Sequence, residues 1–141
     1  MRVVFDTCVW ISAIRSRRGA SFALLSEISL QRFRFGISVP LFLEYKENLH
    51  KTRIKGESPL TESQVDTILS ALAFCGVEVP IYYRLRPNLK DEADNMVFEC
   101  AAHFGASSII THNVKDFTIS ELGDYGIEIV TPGQFIHNLR R

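Results

Sequence analysis

The sequence predicts an α/β fold, a three-layer sandwich in which helices cover both faces of a central, mostly parallel sheet of about five strands. Short apolar runs alternate along the chain with segments of helical apolar spacing. The apolar runs are continuous, which is typical of strands buried on both faces. The chain has 141 residues, the size of one ordinary domain, so we expect a single domain over residues 1–141.

The first half of the chain is predicted to form two strands, each followed by a helix. Arg2 to Phe5 is a short apolar run and is expected to be the first strand. Helical apolar spacing predicts a helix from Gly19 to Phe33. Phe35 to Val39 is expected to be the second strand, and Pro40 to open a helix, because the first helical turn needs no proline N–H.

Capping signals mark the later helices. Thr61, followed three residues later by Gln64, predicts a capping box at the start of a helix that Gly76 ends. The remaining predicted elements are the strand Val77 to Ile81, the helix Asp91 to Phe104 closed by Gly105, the strands Ser107 to Thr111 and Ile127 to Thr131, and the helix Pro132 to Leu139. In parallel sheets of this kind, ligands bind beyond the carboxyl ends of the strands.

Composition excludes several classes of protein. Hydrophobic residues make up 46% of the chain, enough for a full core, so a disordered protein is excluded. No apolar run is long enough to span a membrane, and the N-terminus is charged too early for a secretory signal, so we expect a cytoplasmic protein. The 3 cysteines and 4 histidines are scattered without zinc spacing. Any bound metal should therefore have oxygen ligands, which favours magnesium or manganese.

Acidic side chains are predicted to meet at the carboxyl edge of the sheet. Asp6 directly follows the first strand, and Asp116 follows the fourth. Asp91 and Asp94 lie three residues apart at the start of the preceding helix and share one of its faces. Glu44 lies in the first turns of the helix after the second strand, among apolar neighbours.

Such a set of carboxylates suits the hydrolysis of phosphodiesters. A divalent cation lowers the pKa of a bound water and neutralises the charge that develops on the phosphate. The carboxylates themselves need a cation, because a pair about 4 Å apart repels by about 4 kcal/mol at an effective dielectric constant of about 20.

Each acid also has a simpler interpretation that the sequence leaves open. Asp6 and Asp116 follow strands, where aspartate often closes a turn or caps a short helix. Asp91 is well placed as a helix N-cap, and Asp94 as its capping-box partner. Glu44 would also interact favourably with the dipole of its own helix N-terminus.

The formal net charge is +0, which gives no global attraction to nucleic acid. Local clusters of basic residues are nevertheless candidates for contacts with RNA phosphates, although such clusters are also common in solvated loops. The candidates are Arg15, Arg17, Arg18, Lys51, Arg53 and Lys55.

Four segments of the chain resemble the PIN-domain family. They are Val3–Thr7 at the first strand, Glu44 in the second acidic position, Asp91–Asn95 in the third and Thr111–Phe117 in the fourth. In addition, Thr131–Phe135 is similar to the last strand-to-helix junction of the VapC-like subgroup, the toxin component of toxin–antitoxin pairs.

This resemblance implies a Mg²⁺- or Mn²⁺-dependent ribonuclease that acts on single-stranded RNA, forms a homodimer and is inhibited by a cognate antitoxin. It implies that the metal is held, and the reaction catalysed, by Asp6, Glu44, Asp94 and Asp116. It implies supporting roles for Thr7, Asp91, Thr111 and Asn113. The family commonly has asparagine or serine two residues after the first aspartate, where this chain has Cys8, which we expect to pack as a small apolar group.

Other functions compete with this one. Cys8 and Arg15–Ser16 resemble the signature of cysteine phosphatases, but six mainly large residues intervene and no glycine is present to cradle a phosphate. Haloacid-dehalogenase-type phosphatases need a second aspartate at the position of Cys8. A PIN-like module that binds RNA or protein without cleaving it, and a structure-specific DNA nuclease, both remain open.

Overall fold

The computed structural model describes residues 1–83, 91–117 and 124–141. The elements within these ranges are β1 (Arg2–Phe5), α1 (Thr7–Arg15), α2 (Ala20–Ile28), β2 (Arg34–Ile37), α3 (Val39–Ile54), α4 (Glu62–Cys75), β3 (Val77–Glu78), α5 (Glu92–Phe104), β4 (Ser108–Ile110), a 3₁₀ helix (Val114–Phe117), β5 (Glu128–Val130) and α6 (Pro132–Leu139). The strands form one parallel sheet in the order β3-β2-β1-β4-β5. The predicted α/β fold is confirmed. Of the helices described, none is both long and apolar enough to cross a membrane.

Helices pack on both faces of the sheet. On one face, the ring of Phe5 in β1 lies 4.7 Å from that of Trp10 in α1 and 6.0 Å from that of Phe135 in α6. On the other face, a Cβ atom added to Gly36 of β2 would come within 2.8 Å of the Phe104 ring of α5. Only glycine therefore lets α5 approach β2 this closely, and the sheet is the middle layer of three.

The predicted helix ends are largely confirmed. Thr61 and Gln64 form a capping box at the start of α4. Asp91 is the N-cap of α5, and Gly105 ends that helix in the left-handed conformation, with φ of 68°. Pro40 lies in the first turn of α3, which Ser38 caps by accepting a hydrogen bond from the Leu41 N–H.

The region between β1 and β2 differs from the prediction. The sequence predicts one helix from Gly19 to Phe33, but the structure has two, α1 and an α2 that ends at Ile28. The N-cap residue of α1, Asp6, makes no side-chain capping hydrogen bond. The chain turns before Phe33, with Gln31 at a positive φ of 55°. The third strand is also shorter than predicted, ending at Glu78 rather than Ile81.

Candidate active site

Asp6 lies at the carboxyl end of β1, where two neighbouring strands hold it. Its backbone N–H donates to the Ile110 carbonyl at 2.9 Å, and its side chain is almost fully buried. Oδ2 accepts a hydrogen bond from the Thr111 hydroxyl at 2.7 Å. Burial raises the pKa of Asp6 above its usual value, although hydrogen bonds to the carboxylate partly oppose this. The carboxylate is therefore fixed in position at a cost in free energy.

Thr111 directs its hydroxyl proton towards Asp6. The Thr111 side chain is fully buried, and its Oγ1 accepts a hydrogen bond from the Asn113 N–H at 3.0 Å. The hydroxyl donates its own proton to the carboxylate of Asp6, which can only accept when it is ionised. The family resemblance implied supporting roles for Thr111 and Asn113. Thr111 donates directly to Asp6, and the backbone N–H of Asn113 donates to Thr111.

Cys8 packs against the hydrophobic core, as expected, and its thiol also makes hydrogen bonds that were not predicted from the sequence. Its Sγ donates to Asp6 Oδ2 at 3.3 Å, lies 3.4 Å from Thr111 Oγ1 and accepts from the His112 N–H at 3.5 Å. The first turn of α1 brings the thiol back to the end of β4. Burial, followed by the charge of Asp6, raises the pKa of Cys8 to about 12, so the thiol stays protonated and donates.

Asp94 lies in the first turn of α5 and is buried among like charges. Burial is the largest cause, and the negative charges of Asp6, Asp91 and Asp116 add to it, so that the pKa of Asp94 rises to about 7. Asp91 is also the N-cap of α5, since its Oδ1 accepts a hydrogen bond from the Ala93 N–H at 2.9 Å. Four aspartates from three segments of the chain thus share one electrostatic environment.

Asp116 reaches this environment from the 3₁₀ helix after β4. Its backbone N–H donates to the Asn113 carbonyl at 3.0 Å, and the next residue, Phe117, is buried in the core. The buried ring anchors the short helix while the Asp116 side chain is exposed. Asp116 lies within this helix rather than at its cap.

Glu44 makes its side-chain hydrogen bond within its own helix. It is half-buried on α3, and its Oε1 accepts a hydrogen bond from Asn48 Nδ2, one turn later, at 2.8 Å. Within the described part of the chain, it is not among the charges that raise the pKa of Asp6 or Asp94. Its neighbour Tyr45 nevertheless donates to the Phe5 carbonyl, which ties α3 to the end of β1. No pattern in the sequence predicted this hydrogen bond.

A second contact that was not predicted from the sequence joins α2 to the residues that follow β4. Nε2 of His112 lies 2.9 Å from the hydroxyl of Ser21, which is buried. Thr7, in contrast, buries its hydroxyl without a hydrogen-bond partner among the described residues. Thr7 follows Asp6 directly in the chain, but its hydroxyl makes no hydrogen bond with the described residues.

The predicted basic residues come from two segments that the structure brings together. Ser58 donates to the Ile14 carbonyl at 2.6 Å, and Arg15 lies 4.0 Å from Glu57, so the end of α1 lies against the loop that follows α3. The basic residues that flank this contact are exposed, apart from a half-buried Arg53: Arg15, Arg17, Arg18, Lys51, Arg53 and Lys55.

The chemistry of the donor set fits a hard divalent cation. Among the residues that the structure describes, no three His, Cys, Asp or Glu side chains are close enough to form a ready-made cage. Magnesium does not require one, because it binds through one or two carboxylates and keeps several waters. The raised pKa of Asp94 shows that the aspartates repel one another, which a cation would relieve.

Comparison with known families agrees with this geometry. A family model described as PIN domain matches residues 2–115. The matched region contains Asp6, Glu44 and Asp94 and ends one residue before Asp116. No curated protein matches the chain.

Proposed function

The chain belongs to the PIN-domain family, whose members are generally metal-dependent nucleases, and from this we propose that it is a Mg²⁺- or Mn²⁺-dependent endoribonuclease that hydrolyses single-stranded RNA. One observation carries the proposal. Four aspartates meet at the carboxyl edge of the sheet, and their mutual repulsion helps to raise the pKa of Asp94 to about 7. A nuclease of this kind needs such a concentration of negative charge to hold its cation.

Asp6, Glu44, Asp94 and Asp116 are the proposed ligands. When bound, the cation would activate a water and neutralise charge on the phosphate. Asp6 is the most rigid of these acids because Thr111 and Cys8 donate to its Oδ2. Asp94, whose pKa is raised to about 7, would release its proton when it binds the cation near neutral pH. Thr7, Asp91, Thr111 and Asn113 are proposed to support these ligands.

The basic residues at the ends of α1 and α3 are the proposed contacts for RNA phosphates. Arg15, Arg17, Arg18, Lys51, Arg53 and Lys55 would offset the negative charge of the acidic edge. Binding through phosphates releases counterions, so RNA affinity should fall steeply as salt rises. An affinity that does not change between dilute and physiological salt would contradict this part of the proposal.

We extend the proposal to the partners. The likeness to the toxin subgroup supports a cytoplasmic toxin that forms a homodimer and binds a cognate antitoxin. Exposed apolar side chains, including Leu43 and Phe74, supply apolar surface for such contacts. Light scattering should give the mass of a dimer at micromolar concentration, and a monomer throughout would refute the dimer.

The direct test is cleavage of a mixed single-stranded RNA pool with magnesium, with manganese and with excess EDTA. Matched single-stranded DNA of the same sequences is the control for substrate class. We expect cleavage of RNA with either metal and none with EDTA. Undiminished cleavage in EDTA would exclude the metal site, and preferential cleavage of DNA would exclude a ribonuclease.

A further inference from the structure

An exposed histidine lies at the same edge of the sheet as the aspartates. His112 directly follows Thr111, whose hydroxyl donates to Asp6. The His112 backbone N–H donates to Cys8 Sγ at 3.5 Å, and that thiol donates to Asp6 Oδ2 at 3.3 Å, so about 7 Å at most separates the His112 backbone nitrogen from the carboxylate oxygen. His112 is exposed, so it lies beside the proposed metal site and is open to solvent.

A buried serine fixes the ring of His112. Ser21, the second residue of α2, is 1% exposed, and its hydroxyl oxygen lies 2.9 Å from Nε2 of His112. Among the described residues, Ser21 is the only hydrogen-bond partner of the ring. When the Ser21 hydroxyl donates to Nε2, the ring proton is on Nδ1, and Nδ1 can donate it to a ligand. The chain thus holds an exposed imidazole in place and leaves its second nitrogen available.

The contact between Ser21 and His112 also brings basic side chains to this edge. Arg18 lies three residues before Ser21, and Arg17 directly precedes Arg18. Both arginines are exposed. His112 therefore joins the segment that carries Asp6 to a segment that carries two exposed cations, and cations of this kind bind the phosphates of a nucleic-acid strand.

We propose that His112 is a substrate-binding residue, in which Nδ1 donates a hydrogen bond to a phosphate oxygen of the RNA strand, and that Ser21 is its positioning residue. This inference rests on the proposed ribonuclease function. The phosphate to be cleaved must reach the aspartates, and His112 borders Asp6 through the bonds to Cys8. Hydrogen bonds from polar side chains to phosphates are the commonest contacts between proteins and nucleic acids, and they fix the strand in position.

The test measures binding of a labelled oligouridylate in the Asp94→Asn background, which prevents consumption of the RNA. His112→Ala should weaken binding about tenfold, since a hydrogen bond to a charged group contributes roughly that factor. His112→Asn should recover part of the loss, because its amide N–H takes the position of Nδ1. His137→Ala is the matched control, since His137 is also exposed but lines a cavity with Met1 and Ser107 at the opposite edge of the sheet.

Substitution of Ser21 separates positioning from a merely structural role. Ser21→Ala should weaken binding about threefold, because the ring must then be immobilised when RNA binds. In the His112→Ala background the same substitution should cause no further loss, since the ring that Ser21 holds is absent. Ser29→Ala is the control, because the Ser29 hydroxyl donates to the Ser26 carbonyl at the far end of α2.

An unchanged affinity for His112→Ala would overturn the assignment of His112, and a loss of equal size for Ser21→Ala in both backgrounds would overturn the positioning role. A loss of dimer mass in light scattering for His112→Ala would also overturn the assignment, because it identifies a protein interface. Cleavage by the unsubstituted chain separates the two proposals. Magnesium-dependent RNA cleavage with no effect of His112→Ala removes only this inference, and RNA binding that depends on His112 without cleavage removes only the ribonuclease.

Discussion

Phe5 and Asp6 are adjacent in the chain, but the regions around them have opposite effects on stability. Phe5 is fully buried, and its ring contacts the rings of Trp10, Phe33, Phe35 and Phe135. These contacts remove apolar surface from water and favour folding. Asp6 is also buried, but as a carboxylate near other acids, and its raised pKa shows that the charged form is unfavourable there.

The comparison separates a region that favours folding from one that opposes it. The aromatic cluster, which consists of Phe5 and the four rings around it, packs against itself. The chain alone therefore accounts for the burial of these rings. The acidic edge contains two buried carboxylates, Asp6 and Asp94, whose charged forms lower stability. Substitutions in the two regions should therefore move stability and activity in different directions.

The largest effect on stability is expected from Phe135→Ala in the aromatic cluster. Phe135 is 3% exposed, and its ring lies 5.1 Å from that of Phe33. The cavity should lower the free energy of unfolding by about 3–5 kcal/mol. Urea denaturation measures this, with the exposed Phe74→Ala as a control that should change by less than about 0.5 kcal/mol. A small loss for Phe135→Ala would mean that the cluster contributes little.

Thr111→Val should lower stability less than Phe135→Ala, but it should also weaken magnesium binding. It removes the hydroxyl that donates to Asp6 and accepts from the Asn113 N–H, and should lower the free energy of unfolding by roughly 1–3 kcal/mol. Thr52→Val is the matched control, because Thr52 donates only to the Asn48 carbonyl within α3. Calorimetric titration should show weakened magnesium binding for Thr111→Val alone, and equal binding in both variants would refute the role of Thr111.

Stability without metal should depend on pH through Asp94. Its pKa rises from 3.8 to about 7, chiefly through burial, so the folded protein holds this proton more tightly than the unfolded chain. The free energy of unfolding should therefore fall as pH rises from about 4 to about 7, and then level off. Chemical denaturation at several pH values measures this slope. Asp94→Asn should reduce the slope and leave the part that comes from Asp6, whose pKa is also raised, and an unchanged slope would assign it wholly to other groups.

The smallest effect is expected for Cys8→Ser, which keeps a donor beside Asp6. Stability should stay within about 1 kcal/mol of the parent value, because a hydroxyl replaces a thiol that already makes hydrogen bonds. Cys8→Ala loses the donor and should bind magnesium more weakly than Cys8→Ser. The opposite order, with alanine better than serine, is what a purely apolar role for Cys8 would produce.

Local signals made most of the fold predictable. The capping box at Thr61, the N-cap at Asp91 and the glycine at 105 are short patterns with a defined backbone geometry, and all three appear as predicted. Helix α1 was missed because its apolar residues follow a strand directly and its N-cap, Asp6, uses its carboxylate elsewhere. The topology rule also placed Asp6 and Asp116 at the same edge of the sheet.

Long-range contacts were not predictable. The thiol of Cys8 meets Thr111, 103 positions away, and Ser21 meets His112, 91 positions away. Such pairs depend on how the helices dock on the sheet, which no short pattern encodes. The bond from Asn48 to Glu44, in contrast, joins residues one helical turn apart, a spacing that can be read from the sequence.

The central claim is that the aspartates form a metal site, and one measurement tests it most directly. Thermal unfolding is recorded with and without magnesium, alongside RNA cleavage, for the parent chain, for Asp94→Asn and for Asp124→Asn as an exposed control. We expect Asp94→Asn to lose cleavage by about 100-fold or more, to keep or gain stability without metal, and to lose most of its stabilisation by magnesium. An Asp94→Asn variant that cleaves like the parent, or that is destabilised equally with and without magnesium, would contradict the metal site.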